Sequence, residues 1–256
     1  MKSWRLWVSI AAVIIVGFLL LQDTLARLAW QKYHLAPVAS LLNRRDAKLA
    51  FDLGNYYFGG GEYDLALAEE EYKRAGVLDT QLLGPRYQLS RVAFLQGDFS
   101  KARSLINEEI SLHPDFKRSF YVRGLIEGYA GNSPQAENDF KKFLEWDSQS
   151  WAAHNDLAWI YFQKGEYEKA KVVAEEGLKF NPQNPWLLNA LGVALLNMNK
   201  MGDAKAAFQK ALSASRRLSS QDFKKAYPGH DPGGADLRLS SFVEILENNL
   251  KKAMDK

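Results

Sequence analysis

Slid along itself by 34 residues, the sequence falls back into register. Gly97-Asp98-Phe99-x-x-Ala102 meets Gly131-Asn132-Ser133-x-x-Ala136, then Gly165-Glu166-Tyr167-x-x-Ala170, then Asn199-Lys200-Met201-x-x-Ala204. Upstream, Gly61-Glu62-Tyr63-x-x-Ala66 joins the series after an insertion of two residues, and Pro114 and Pro182 close two of the units. Five units result, at 47–80, 83–116, 117–150, 151–184 and 185–218. A fixed period of this size marks one small structural unit stacked on copies of itself, because such a unit cannot bury its apolar face alone.

The pattern resembles the tetratricopeptide repeat (TPR). The fourth unit carries Leu157-Ala158-x-x-Tyr161, Gly165, Ala170, Ala174, Gly177 and Pro182; the fifth carries Leu191-Gly192, Ala204, Phe208 and Ala211; the first keeps Leu53-Gly54-x-x-Tyr57. The second, with Leu89-Ser90, and the third, with Arg123-Gly124, are looser but retain the turn and its alanine. The resemblance implies an all-α fold, a right-handed superhelical solenoid of about five helix-turn-helix units over 47–218. Small residues at Gly54, Ser90, Gly124, Ala158 and Gly192 let the two helices of a unit approach, as do Ala66, Ala102, Ala136, Ala170 and Ala204 from the other side. The turn glycines can take φ above zero, and Asn199 stands in for one of them.

Two segments lie outside the repeat. From Leu6 to Gln22 seventeen residues pass without a charge, between Arg5 and Asp23. A helix of that length just spans a hydrocarbon core, and the run is longer than a signal-peptide core and lacks a clean cleavage site behind it. The expectation is a five-residue tail (1–5) and an uncleaved single-pass transmembrane anchor (6–22). The amino group, Lys2 and Arg5 before the run against Arg27 and Lys32 after it place the N-terminus in the cytoplasm and the TPR domain outside. Residues 23–46 read as a helical connector interrupted at Pro37, with Leu35, Val38, Leu41 and Leu42 packing on the first repeat. At the other end, 219–256 reads as an irregular loop and a C-terminal capping helix, in which Leu237, Phe242, Ile245, Leu246, Leu250 and Met254 recur at helical spacing.

Composition excludes several classes of function. With 33 basic against 30 acidic residues the chain lacks the dense positive face that nucleic acid requires, and without cysteine it has no thiolate metal site or thiol nucleophile. The histidines, His34, His113, His154 and His230, are scattered, and His154 falls at a packing position. His230 beside Asp231 and Asp222 has no metal-ligand spacing. No phosphate-binding glycine loop or nucleophile motif is present, so no enzyme activity, cofactor, metal or small-molecule substrate is expected.

The resemblance further implies that the first helix of each unit lines a concave groove. The first unit offers Phe51, Asn55 and Phe58; the second Tyr87, Arg91 and Phe94; the third Tyr121, Leu125 and Tyr129. The fourth adds Asn155, Trp159 and Phe162, and the fifth Trp186, Asn189 and Val193. Aromatic anchors beside amides suit an extended peptide or an amphipathic helix of another protein. The other reading is that these rings pack on neighbouring helices or are covered by the C-terminal segment. Some members of the family hold a partner's terminal carboxylate between lysine and asparagine; here Phe51, not lysine, stands one turn before Asn55, and half of that clamp is missing. The expected function is a membrane-anchored scaffold or adaptor for protein–protein interactions, in envelope assembly, secretion or translocon-associated work. The alternative is a structural subunit of a stable membrane complex with its groove permanently occupied, and a more distant one is an enzyme with a site in the C-terminal tail.

Overall fold

The computed structural model describes residues 3–219, 222 and 235–255. The loop 227–234, with His230 and Asp231, and the side chains of Trp4 and Leu237 lie outside the described residues. Among those described, the regular elements are all α-helices, and their contacts divide the chain into two compact units, Met1–Leu89 and Ser90–Lys256.

The first unit opens with α1 (Ser3–Gln31) and α2 (Ala36–Leu42). Pro37 does not interrupt this segment: it sits in the first turn of α2, where a missing N–H leaves no hydrogen bond unmade. The break falls before it, where His34 takes φ +53°. α1 and α2 pack as a hairpin that buries Gln22, Ala26 and Ala29 from one helix and Ala36, Ala39 and Asn43 from the other. Leu35, Val38 and Leu41, expected to pack inward, are exposed. The hairpin is tied back on itself, since Asp23 Oδ1 accepts from the backbone N–H groups of Arg44 (2.7 Å) and Arg45 (3.0 Å), and Arg27 pairs with Asp46. Among the described residues no single helix is long and apolar enough to cross a membrane; Ile10–Phe18 and Leu21–Gln31, bent by 48°, meet that test only as a pair.

Next come α3 (Ala47–Tyr57) and α4 (Leu65–Leu78), capped at their N-termini by Asp46 and Asp64, whose carboxylates accept from backbone N–H groups of the first turn. The connection between them corrects the sequence register. Ala66 is exposed and Ala68 is fully buried, and it is Ala68 that stands 34 residues before Ala102. The two extra residues therefore lie inside this turn, not after it. Gly59 takes the positive φ (+118°), Phe58 and Tyr63 form an isolated antiparallel bridge, and Gly61 lies flat against the Tyr56 ring.

α5 (Pro85–Leu95) leads into the second unit, which continues with α6 (Phe99–Leu112), α7 (Arg118–Tyr129), α8 (Ser133–Trp146), α9 (Trp151–Gln163), α10 (Tyr167–Phe180), α11 (Pro185–Asn197), α12 (Met201–Ser215) and α13 (Ala235–Met254). Its turns reverse at Gly97, Gly131, Gly165 and Asn199, with φ from +58° to +83°. Caps at Asp98, Ser150 and Asn184 start α6, α9 and α11.

One repeating contact closes the hairpins. Tyr72, Ile106, Phe140, Ala174 and Phe208, spaced by 34, have no exposed surface, and they match Gly54, Ser90, Gly124, Ala158 and Gly192 on the first helices. The sizes are complementary. Glycine faces each ring: a Cβ added at Gly54, Gly124 or Gly192 would come within 2.5, 2.8 and 2.5 Å of Tyr72, Phe140 and Phe208. Where the second helix brings only Ala174, the first carries Ala158.

α13 packs along α12. Phe242 and Leu246 join Trp186, Leu188 and Ala211, while Ala253, with Leu250 beside it, joins Leu195, Ala204, Ala207 and Phe208. Of the residues expected on its buried stripe, Ile245 and Met254 are instead exposed, and Ala253 takes the place at its end.

Candidate functional site

In the second unit the first helices α7, α9 and α11 are neighbours, so residues at helical spacing on their free sides share one surface. That surface is concave, with a cavity of about 630 Å³. α7 contributes Tyr121, Leu125 and Tyr129; α9 contributes Asn155, Asp156, Trp159 and Phe162; α11 contributes Trp186, Asn189 and Val193; Phe94 borders it from α5. The far wall is α13, through Ser241, Phe242, Ile245 and Asn249.

The rings form two groups. Tyr129 meets Phe94 edge-on at 5.2 Å and lies tilted on Trp159 at 5.1 Å. Trp159 can lie this low because its indole packs where a Cβ at Gly128 would sit, 2.9 Å away. Tyr129 remains 53% exposed and Phe162 37%. The second group is closed: Trp186 is stacked between Trp151 (4.9 Å) and Phe242 (5.4 Å) and is only 7% exposed. It holds α13 to α11, and only its margin reaches the cavity. Among the amides, Asn249 Nδ2 donates to Asn189 Oδ1 at 3.0 Å, which links the same two helices.

Asp156 is the buried acid of the wall. Burial pushes its carboxyl up to about 6, against the lowering effect of the Tyr121 hydroxyl donating at 2.6 Å and the Asn155 amide donating at 3.1 Å. A carboxyl raised on folding binds its proton more tightly in the native state, so above pH 6 its charge costs stability, and the cost fades as pH falls toward 3.8. Asp156→Asn is therefore expected to stabilise the protein by about 2 kcal/mol at neutral pH and to make no difference near pH 4. Thermal unfolding of variant and parent across that range checks this; a variant less stable at pH 7 would show that the charged hydrogen bonds outweigh burial. Reading the difference between the two proteins matters, because Glu137 runs the other way. Burial raises its carboxyl, but bonds from Lys141, Lys164 and Tyr161 outweigh it and hold it at about 2, so its contribution is present above pH 4.5 and lost in acid.

The remaining residues picked out in the sequence do not join the cavity. Asn55 Oδ1 accepts from Tyr72 (2.9 Å) and Gln88 (2.7 Å), Phe51 lies against Tyr72 and Gly84, and Phe58 and Tyr87 are buried within the first unit. Arg91 is half-buried on α5 away from the lining. Conversely, Asp156 is missed, and α13 is anticipated only in general, by the reading that the C-terminal segment covers some of the rings, as Phe242 covers Trp186. Asp156 is one residue from a lining asparagine and lies at a position that the repeat leaves free; α13 has no counterpart in the repeat, so no periodicity could align it with the groove.

His154 is buried, with Nε2 3.0 Å from the Ser148 carbonyl and its ring near Phe180. Among the described residues no group of three or more His, Asp or Glu could hold a metal ion.

A family model described as TPR repeat matches residues 159–199, and one described as tetratricopeptide repeat matches 187–217. The "Hsp70-Hsp90 organizing protein" of Triticum aestivum is 25% identical over 155 residues, 60% of this chain and 26% of its own length. The chain thus spans about a quarter of that relative. A solved tetratricopeptide repeat protein from Parabacteroides merdae superposes with a TM-score of 0.64 over 93% of this chain and 99% of the other, at 19% identity. YrrB, described as "a TPR protein with an unusual peptide-binding site", gives a TM-score of 0.56 over 71% of this chain and 93% of its own at 15% identity.

Proposed function

The chain is a tetratricopeptide-repeat protein, and from that premise we propose that it is a membrane-anchored adaptor that holds a segment of another protein in the groove of its second unit. The observation that carries the reading is the cavity, open on one side, with exposed rings at Tyr129 on α7 and Phe162 on α9 and the amide of Asn155 also in its lining. Rings that remain half in water inside a concavity of this size gain by covering a partner's apolar side chains, and amides nearby pair with its backbone. The naming of a peptide-binding site in YrrB and of an organizing protein in wheat supports the class of function. The anchor is supported by side chains such as Val13, Ile14, Ile15 and Val16, more than half exposed in a run without charge, which water solvates poorly. With the N-terminus in the cytoplasm the repeats lie outside; protease added to spheroplasts then digests them, and full protection would reverse the topology.

A photocrosslinker at Phe162 tests the groove, with one at Val172, exposed on α10, as the control. The expected result is a discrete protein product from Phe162 alone. Tyr129→Ala with Trp159→Ala should lower its yield about tenfold or more, the loss of an aromatic anchor worth roughly 2 kcal/mol. Trp186 is unsuitable for this test, because its stack with Phe242 makes it part of the core. Undiminished capture by a folded double variant would exclude the groove as the contact surface.

A further inference from the structure

The α1–α2 hairpin is built inside out for a water-soluble element. Its two helices meet through small residues, Ala26, Ala29, Ala36 and Ala39, all buried, while Leu21, Leu25, Leu28, Leu35, Val38 and Leu41 point away and are exposed. Helix pairs in water usually set at least one large apolar group at the contact, as Tyr72, Ile106, Phe140 and Phe208 do in the repeats, and do not leave all of them outside. Small residues at the contact and large ones outside is the arrangement of helices that pack within lipid.

The exposed face is also continuous with the uncharged run. Ile10, Ile14 and Phe18 of the run and Leu21, Leu25 and Leu28 beyond the 48° bend are all exposed, so apolar surface continues from the run into the hairpin. Cations lie at both ends of the hairpin, Lys32 at its turn and Arg44 and Arg45 at its open end. The two bonds to Asp23 bring Arg44 and Arg45 back to the level at which the run stops. Both side chains are exposed, and Lys32 is exposed with its ammonium 5.4 Å over the Tyr33 ring.

We propose that this hairpin lies in the bilayer interface, its leucine face at the acyl boundary and Lys32, Arg44 and Arg45 among anionic lipid headgroups. The first repeat, in the same unit as the hairpin, is then seated close to the membrane surface. This rests on the reading that residues 6–22 enter the membrane.

The absence of cysteine permits a direct test on the full chain in vesicles of phosphatidylcholine with a minority of phosphatidylglycerol. Single variants L28C and L41C carry an environment-sensitive fluorophore, with V16C inside the run and V77C, strongly exposed on α4, as references. Nitroxide on the lipid acyl chains should quench V16C, L28C and L41C about twofold or more and leave V77C bright, while iodide in the water does the reverse. If only V16C responds to lipid, the hairpin proposal is overturned and the anchor stands. If V16C is itself open to iodide, the anchor reading falls and the proposal with it. Protection of L28C and L41C from both quenchers means that protein, a second copy or a partner, covers the face, which also overturns it. Lipid quenching at L41C should weaken when phosphatidylglycerol is omitted, and identical quenching overturns the assignment of the cations to headgroups.

Discussion

Gly192→Val unfolds with about 3 kcal/mol less stability than the parent, a fall in Tm of roughly 6 to 12 °C for a unit of this size. The first methyl alone meets the Phe208 ring at 2.5 Å, and that ring has nowhere to go, since it has no exposed surface and sits among Leu195, Ala204, Ala207 and Ala253. Either α11 moves off α12 or the ring leaves its rotamer, and both lose packing. The control is Gly202→Ala at the start of α12, where an added Cβ has nothing within 4 Å. There the substitution removes only the backbone freedom of glycine and should stabilise by up to about 1 kcal/mol. Opposite signs for two glycines ten residues apart, measured by thermal unfolding, are the signature of packing; a loss at both positions would point to a general intolerance of the last hairpin. Phe208→Ala in the Gly192→Val background should couple by about 1 kcal/mol or more, because truncating the ring relieves the clash.

Arg123→Met is expected to cost about 3 kcal/mol in urea unfolding, with the double variant Arg123→Met and Asp139→Leu close to the parent. Asp139 has no exposed surface, and the guanidinium meets it with two parallel bonds of 2.8 Å while donating a third to Asn107 at 3.0 Å. Removing the arginine strands a buried carboxylate; removing both removes the desolvation cost together with the attraction. Equal losses in the single and double variants would show that Arg123 acts through packing. The pair Lys73–Glu69, at a comparable 2.8 Å but with the lysine exposed and the glutamate only partly buried, should contribute less, since water reaches the ammonium and a flexible side chain must be held.

The period made the helical hairpins legible, because each demands a small residue, a reversal and a second small residue at fixed distances. It misled in the first turn. Gly61-Glu62-Tyr63-x-x-Ala66 copies the later turns in letters, yet the position of α4 is set by Tyr72, which is in phase with Ile106, Phe140 and Phe208 and lies beyond the turn. Arg123 looked like a weak match because the ion pair that replaces its apolar contact depends on Asp139, a turn away on another helix. On the groove, side-chain type did not reveal occupation. Asn55 and Phe51 have the same character as Asn155 and Trp159, but Tyr72 and Gln88 already hold Asn55, while Phe51 leans on Tyr72 and Gly84. The wall from α13 and the alanine seam between α1 and α2 lie outside the repeat, so only the folded chain brings them into view.

A helix outside the repeat is held only by the contacts it makes with the repeat it packs on. Here α13 is such a helix and also a wall of the cavity: Phe242 belongs to the stack over Trp186 and to the lining. Detachment of α13 would remove that wall, so a guest that touches α13 holds the helix in place by mass action. The hold is distributed, from the Phe242 stack and Leu246 at one end through the bond from Asn249 to Asn189 to Ala253 at the other, so the wall is fixed along its length and not at one ring.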